Sequence, residues 1–249
     1  IGEDGLAGLS PPARAALDRA EAVVGGARHH ALTEGAAPRA ERLTWPSPFD
    51  ALLSELRARA GRAVAVLATG DPLWHSVGST LARAFEAGDI RFHPHPSAFQ
   101  LAAARMGWPL EETATLSLHG RAPEAVLANL APGRRILALT SGAGTAGEVA
   151  ALLSARGYGE SRLTVLAAMG GPRETRHEAR AAAWEGAAPP FHTLAIDCRA
   201  GAHATLAPAV PGLDDALFAN DGTMTKREIR AVTLARLMPM PGALLWDVG

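Results

Sequence analysis

The run Arg62-Ala63-Val64-Ala65-Val66-Leu67-Ala68, closed by Thr69-Gly70-Asp71-Pro72-Leu73, decides the fold. It is short, apolar and rich in valine, and it stops at a glycine–aspartate–proline turn. An unbroken apolar run of this length suits a strand covered on both faces, as in a parallel sheet. The pattern recurs. Arg135–Thr140 stops at Ser141-Gly142, Leu163–Ala167 runs towards Gly170-Gly171-Pro172, and Phe191–Asp197 is a further run. Ala114–Leu118 leads into a polar loop, while Glu21–Val24 and Ile90–Phe92 read as shorter strands.

Helices fall between these runs. Ser10-Pro11 and Ser47-Pro48 each read as an N-cap followed by proline at the first helical position. Phe49, Leu52, Leu53, Leu56 and Ala60 then keep helical spacing. Ser97–Gln100, Thr145–Glu148 and Thr225–Glu228 fit the capping-box pattern. This alternation predicts an α/β fold with a doubly wound sheet. Ligands of such sheets sit beyond the carboxyl ends of the strands. The loops that matter are therefore Gly2–Gly8, Thr69–Val77, Pro94–Phe99, Ser117–Arg121, Thr140–Thr145 and Met169–Glu174.

Composition narrows the classes. The chain has 249 residues, 48% of them hydrophobic and 20% charged, which excludes disorder as the main state. Its net charge of −1 supplies no global field for nucleic acid or an anionic membrane. Lys226 is the only lysine, so nearly all the positive charge is arginine. A single cysteine, Cys198, excludes an intrachain disulfide and any multi-cysteine metal site. No apolar run is long enough to span a bilayer, and no export signal is visible, so a cytoplasmic protein is expected.

Two segments differ from the rest. Ala200–Gly222 is rich in Ala, Pro, Gly and Asp and reads as a linker. Beyond it, a helix opening at Thr225 carries Ile229, Val232, Leu234 and Leu237 on its apolar side, and Ala243–Val248 reads as a new strand. The chain ends at Gly249, where a domain just begun cannot be complete. At the other end, Ile1-Gly2 reads as the exit of a strand that starts before the first residue given.

Several motifs have both a structural and a functional reading. Gly2, Gly5 and Gly8 form either a tight turn or a loop that lets a ligand approach a helix N-terminus. Asp71 is either an Asx-turn residue or an acceptor for a ligand. Arg121, in Ser117-Leu118-His119-Gly120-Arg121, is either solvated or a bidentate carboxylate partner, and Arg28-His29-His30 carries the same two readings. His93-Pro94-His95 resembles a metal pair only weakly, because Pro94 breaks the strand and no carboxylate lies nearby in sequence. There is no nucleophile elbow and no P-loop.

The ordered set of loops resembles the tetrapyrrole methylase family. The glycine loop with Leu9-Ser10-Pro11, then Ala20–Val24, Gly70-Asp71-Pro72, Pro96-Ser97-Ala98, and Thr140 with Leu163–Gly170 carry the resemblance from Ile1 to about Leu206. Val24–His29 and Ser117–Arg121 are most similar to the members that methylate carbon 5 of the precorrin ring in cobalamin biosynthesis. Leu217–Ala231 and Leu245–Gly249 are similar to the start of a Rossmann-type partner domain that methylates carbon 15 and decarboxylates an acetate side chain. Asp247-Val248-Gly249 would open its glycine-rich cofactor motif.

The resemblance implies two α/β subdomains, about 1–112 and 113–206, with the cofactor in the cleft between them. A linker over 207–222 and the start of the partner domain over 223–249 follow. It implies S-adenosylmethionine as cofactor, held by Glu3, Gly70, Asp71, Trp74, Ser97, Ala98, Leu118, His119 and Gly170, largely through main chain. It implies an anionic tetrapyrrole substrate, for which Arg28, His29, His30 and Arg121 supply local positive charge. It also implies a homodimer, with neither nucleic acid nor membrane as partner. Some members carry an acidic candidate base after the second strand. This chain has Gly26 there, so no catalytic base carries over. Alternatives are a sibling methylase acting on another ring carbon, a cofactor-binding module inactive without its partner domain, and a nicotinamide-dependent oxidoreductase. The last lacks the G-x-G-x-x-G fingerprint.

Overall fold

The structure, a computed structural model, describes residues 1–208, 210–240, 242–246 and 248. Two sheets organise it. The first is a three-stranded parallel sheet in the order β2-β1-β3, made of β1 (Ala22–Val24), β2 (Glu41–Leu43) and β3 (Val64–Val66). Central β1 is buried throughout, as its unbroken apolar sequence requires. Val23 and Ala65 face a cluster with Leu17 of α1 (Pro11–Asp18). Val24, Val64 and Val66 face the opposite cluster, with Leu52 of α3 (Ala51–Arg57) and Leu81 of α4 (Gly78–Ala84). The short α2 (Ala27–Leu32) follows β1.

The second sheet has five strands in the order β4-β5-β8-β6-β7. These are β4 (Thr113–Ser117), β5 (Arg135–Leu139), β6 (Arg162–Ala167), β7 (Thr175–Arg180) and β8 (His192–Asp197). Alternation sorts its side chains. Ile136, Ala138, Leu163, Val165, Leu194 and Ile196 enter the core with α6 (Thr145–Ala155), while Leu137, Leu166 and Ala195 meet α5 (Ala98–Met106) on the other face. Each such leucine or isoleucine contributes about 1.5–3 kcal/mol by leaving water.

This sheet corrects the expectation of a parallel, doubly wound array. Only β4 and β5 pair in parallel; β8 lies antiparallel between β5 and β6, and β7 is antiparallel to β6. The direction of β8 leaves β4, β5 and β6 pointing the same way. Their exit loops, and the entry to β8, therefore share one end of the sheet.

Helix starts follow local chemistry more closely than pattern. Ser10 caps α1, its Oγ accepting from the Ala13 N–H at 3.4 Å, with Pro11 in the first turn. Ser97 caps α5 with a complete capping box to Gln100. The other starts differ from expectation. Helix α3 begins at Ala51 beyond a cis Ser47–Pro48 peptide, and α6 is preceded by Gly144 with no side-chain cap. Helix α7 (Arg227–Leu237) is preceded by Lys226, also without one. Neither Ile90–Phe92 nor Ala243–Trp246 forms a strand, each lacking a neighbour among the described residues to complete a ladder. Asp247 and Gly249 of the expected glycine-rich motif lie outside the described residues.

The 207–222 segment holds a single 3₁₀ turn, Asp215–Leu217, among its described residues. Arg230 ties α7 to it, donating to the Leu213 carbonyl and to Asp215, both at 2.6 Å. Ile229, Val232, Leu234 and Leu237 are exposed. No helix among the described residues is long and apolar enough to cross a membrane.

Candidate active site

The loops leaving β1 and β3 meet the loops at the shared end of the second sheet. Gly70 shows how closely. Its φ of +63° is left-handed, and a Cβ there would lie 2.8 Å from Ser97 Cα. Only glycine lets the Gly70-Asp71-Pro72 turn rest on the Pro96–Ser97 backbone. Asp71 closes that turn, its Oδ1 accepting from the Leu73 N–H at 2.8 Å. Trp74 then lies on Phe99, ring centroids 5.0 Å apart, beside half-buried Ala98. Gly70, Asp71, Trp74, Ser97 and Ala98 are thus brought together.

A second group bridges the two sheets. Glu3, almost fully buried, accepts from Arg28 Nε at 2.7 Å and Nη2 at 2.6 Å. The Arg28 guanidinium also donates to Thr69 Oγ1 at 3.2 Å and lies 4.6 Å from the Phe191 ring at the entry to β8. Gly171 closes this contact from the other sheet: a Cβ there would fall 2.6 Å from the Glu3 Cβ. His29 Nε2 lies 2.9 Å from Thr69 Oγ1, and His29 Nδ1 lies 3.2 Å from the Gly26 N–H. Burial, then the Arg28 charge, pull the His29 pKa down to about 4, so the ring is neutral at pH 7.

The remaining expected residues are dispersed. His30 is turned towards β2, with Nε2 2.9 Å from the Leu43 carbonyl and Nδ1 facing Arg42. Leu118 has its side chain in the core and its N–H bonded to the Leu139 carbonyl at 2.8 Å. Its own carbonyl accepts from Ser141 Oγ and from the Arg121 N–H, the latter at 3.0 Å. His119 and Arg121 are exposed, and neither side chain has a hydrogen bond or ion pair among the described residues. The pKa of His75 is lowered by burial first and by the Arg121 charge second. Gly170 is exposed at φ +84°, its N–H donating to Glu174 Oε2 at 2.7 Å. Glu174 also takes two bonds from Arg105, at 2.6 and 2.8 Å. Those bonds, then the Gly170 N–H, hold its carboxyl at about 2.

Thr69, Gly171, Phe191 and His75 lie in loops and runs that the sequence marks, but no pattern there gives any of them a role of its own. The hydroxyl of Thr69, at the head of the Gly70-Asp71-Pro72 turn, is the available signal in sequence. Burial pushes the Cys198 thiol up to about 12, so it is no nucleophile at neutral pH. His95 faces Asp4 at 3.8 Å, but no three His, Cys, Asp or Glu side chains among the described residues group to hold a metal ion. A cavity of about 1100 Å³ follows the outer edge of β3 and touches this site only at Gly70 and Pro72 among the turn residues.

Residues 1–185 match the family model of the tetrapyrrole (corrin/porphyrin) methylases. The chain belongs to that family. Residues 216–249 of this tetrapyrrole methylase match a second model, described as a precorrin methyltransferase domain. Over 250 aligned residues it is 44% identical to precorrin-6Y C(5,15)-methyltransferase (decarboxylating) of a Sinorhizobium species, covering 100% of this chain and 60% of that protein. The chain thus spans less than two thirds of that relative's length. It is 35% identical over 158 residues to cobalt-precorrin-7 C(5)-methyltransferase of Salmonella typhimurium, covering 64% of this chain and 76% of that one. A crystal structure of precorrin-6Y methylase from Archaeoglobus fulgidus superposes with a TM-score of 0.56 at 23% identity, covering 80% of this chain and 94% of that one. That resemblance speaks for the fold.

Proposed function

We propose that this tetrapyrrole methylase transfers a methyl group from S-adenosylmethionine to carbon 5 of a precorrin in cobalamin biosynthesis. The observation that carries the reading is the 44% identity to a precorrin C(5,15)-methyltransferase across the whole chain. Carbon 5 is favoured over carbon 15 by a second relative. The Salmonella protein, named for carbon 5 alone, is matched over 76% of its length. Carbon-15 methylation and decarboxylation are assigned to the full-length fusion, whose methyltransferase domain is matched here only over residues 216–249.

The residues suit a cofactor held by backbone. The Gly70–Ser97 approach leaves main chain and half-buried Trp74, backed by Phe99, as the available surface. We assign Gly70, Asp71, Trp74, Ser97, Ala98, Leu118, His119 and Gly170 to the cofactor. S-adenosylmethionine supplies a methyl group already activated on a sulfonium. The chain's own work is to align the ring carbon with that methyl and to exclude water. Arg121 is assigned to a substrate carboxylate. Glu3 and Arg28 neutralise each other in the structure and are reassigned to holding the two sheets together. We also take the protein to act as a cytoplasmic homodimer, which size-exclusion chromatography with light scattering would test.

Calorimetric titration of this chain with S-adenosylhomocysteine, against a nicotinamide dinucleotide control, tests the reading. One-site binding of the first alone is expected, followed by methyl transfer to precorrin with mass-spectrometric detection of one added methyl. Binding of the dinucleotide alone would overturn it.

A further inference from the structure

The hydroxyl of Thr69 has a constrained role that follows from counting donors and acceptors. It stands at the exit of β3, directly before the Gly70-Asp71-Pro72 turn, and its oxygen has two close polar neighbours. Arg28 Nη1, 3.2 Å away, has only hydrogens to offer. His29 Nε2, 2.9 Å away, is ambiguous by itself. The other ring nitrogen resolves it. Nδ1 faces the Gly26 backbone N–H at 3.2 Å, and a backbone N–H can only donate. Nδ1 must therefore be the bare acceptor, which puts the hydrogen of the neutral ring on Nε2. That hydrogen points at Thr69.

Thr69 Oγ1 thus accepts twice, using both lone pairs. Its own hydrogen remains, and no acceptor for it lies within hydrogen-bond distance among the described residues. The two incoming donors, one of them charged, polarise the hydroxyl and strengthen it as a donor.

We propose that Thr69 Oγ–H is a pre-set hydrogen-bond donor to a carboxylate oxygen of the bound ligand, with His29 and Arg28 acting as positioning residues that fix its direction. The proposal rests on the methyltransferase reading, in which two ligands bring carboxylates: the amino-acid end of the cofactor and the side chains of the tetrapyrrole. A ligand group that can only donate would be disfavoured at this oxygen, having no lone pair to meet.

The test compares Thr69→Val, which keeps the shape and removes the donor, with Thr69→Ser, which keeps the hydroxyl. Thr69→Cys is the third variant, since sulfur still accepts weakly from Arg28 and His29 but donates poorly. It serves if the valine protein does not fold. The readouts are the Kd of S-adenosylhomocysteine by calorimetry, and KM and kcat for the precorrin. Loss of one charge-assisted bond predicts about a tenfold weakening, about 1.4 kcal/mol, of whichever ligand supplies the carboxylate. A raised KM with unchanged Kd identifies the tetrapyrrole, and a raised Kd identifies the cofactor. In either case serine restores the value. Equal values for folded Thr69→Val or Thr69→Cys and the wild type overturn the proposal. ¹⁵N NMR of the His29 ring tests it separately from the functional reading: an Nδ1–H tautomer would overturn the donor assignment even if methyl transfer is confirmed. A wild-type chain that binds neither ligand and transfers no methyl group to the precorrin would remove the functional reading and the proposed acceptor with it.

Discussion

Replacing Gly70 by alanine and comparing it with the same change at Gly107 isolates the contact on which the site is built. The two glycines share nearly the same backbone, φ +63° and +65°. Both changes carry the left-handed cost of an L-residue, about 1–2 kcal/mol, and the same loss of unfolded-chain freedom. They differ in surroundings. Nothing lies within 4 Å of a Cβ at position 107, whereas one at position 70 falls 2.8 Å from Ser97 Cα. Ordinary carbon contacts are about 3.5–4.0 Å, so the turn must retreat by about 0.7–1.2 Å. Ser97 cannot yield easily, because its N–H is bonded to Gln100 at 2.6 Å in the α5 capping box. Overpacking costs about 1–3 kcal/mol and a weakened cap up to about 1 kcal/mol more. Gly70→Ala should therefore be about 2–3 kcal/mol less stable than Gly107→Ala in urea unfolding. It should also lose affinity for S-adenosylhomocysteine, while Gly107→Ala keeps it. Equal stabilities within about 0.5 kcal/mol would show that the close approach to Ser97 does not explain this glycine.

Other expectations follow from the same geometry. The folded-state pKa of His29, about 4, lies below its ordinary 6.5, so the unfolded chain takes up a proton first as the pH falls. Stability should decline from about pH 6.5 towards pH 4, and His29→Gln should lack that slope in melting curves across the window. Parallel curves would remove His29 as the cause. Glu174 is held at about 2 against an ordinary 4.5, which stabilises the fold above pH 4.5 and is lost on acidification towards pH 2. Glu174→Gln should flatten that acid limb, seen by circular dichroism. Arg121→Ala should raise the precorrin KM several-fold, leave the S-adenosylhomocysteine Kd unchanged, and let the His75 pKa rise in an NMR titration. An unmoved KM would place Arg121 outside the substrate site.

What the sequence disclosed follows from burial. β1, β5, β6 and β8 lie inside their sheets, so their apolar runs are long and legible. Of the edge strands, β3 and β4 keep apolar runs, but β2 and β7 do not. Thr175–Arg180 is polar and almost wholly exposed, and Glu41-Arg42-Leu43 has one apolar residue, so neither carries a strand period. Missing β7 and the direction of β8 made the second sheet look parallel. At the site, the glycine–aspartate–proline turn was legible because a left-handed glycine leaves a mark in sequence. Thr69 was not, because a threonine next to a turn has many ordinary uses and its significance comes from His29 and Arg28, about 40 residues away. His30 shows the converse: adjacency to His29 suggested a shared role, but successive residues on a helix point about 100° apart.

That separation bears on how a slightly acidic protein can take a substrate rich in carboxylates. Arg28 looks like the natural anion partner in sequence, yet in the structure Glu3 meets two of its nitrogens and Thr69 a third. With its charge offset inside the protein, Arg28 is better suited to stiffening the junction between the sheets than to capturing a ligand from solvent. On the proposed function, capture would fall to the cations left outside, Arg121 and the exposed Arg173, which lies 3.8 Å from Glu3. Exposed charges steer and orient at modest energy and are screened by salt. The substrate KM should therefore rise with ionic strength in the wild type and less steeply in Arg121→Ala. A neutral donor such as Thr69 would add directional selection that salt does not screen. If Thr69→Val raised KM by the same factor at low and high salt while Arg121→Ala did so only at low salt, attraction and orientation would be separable in this site.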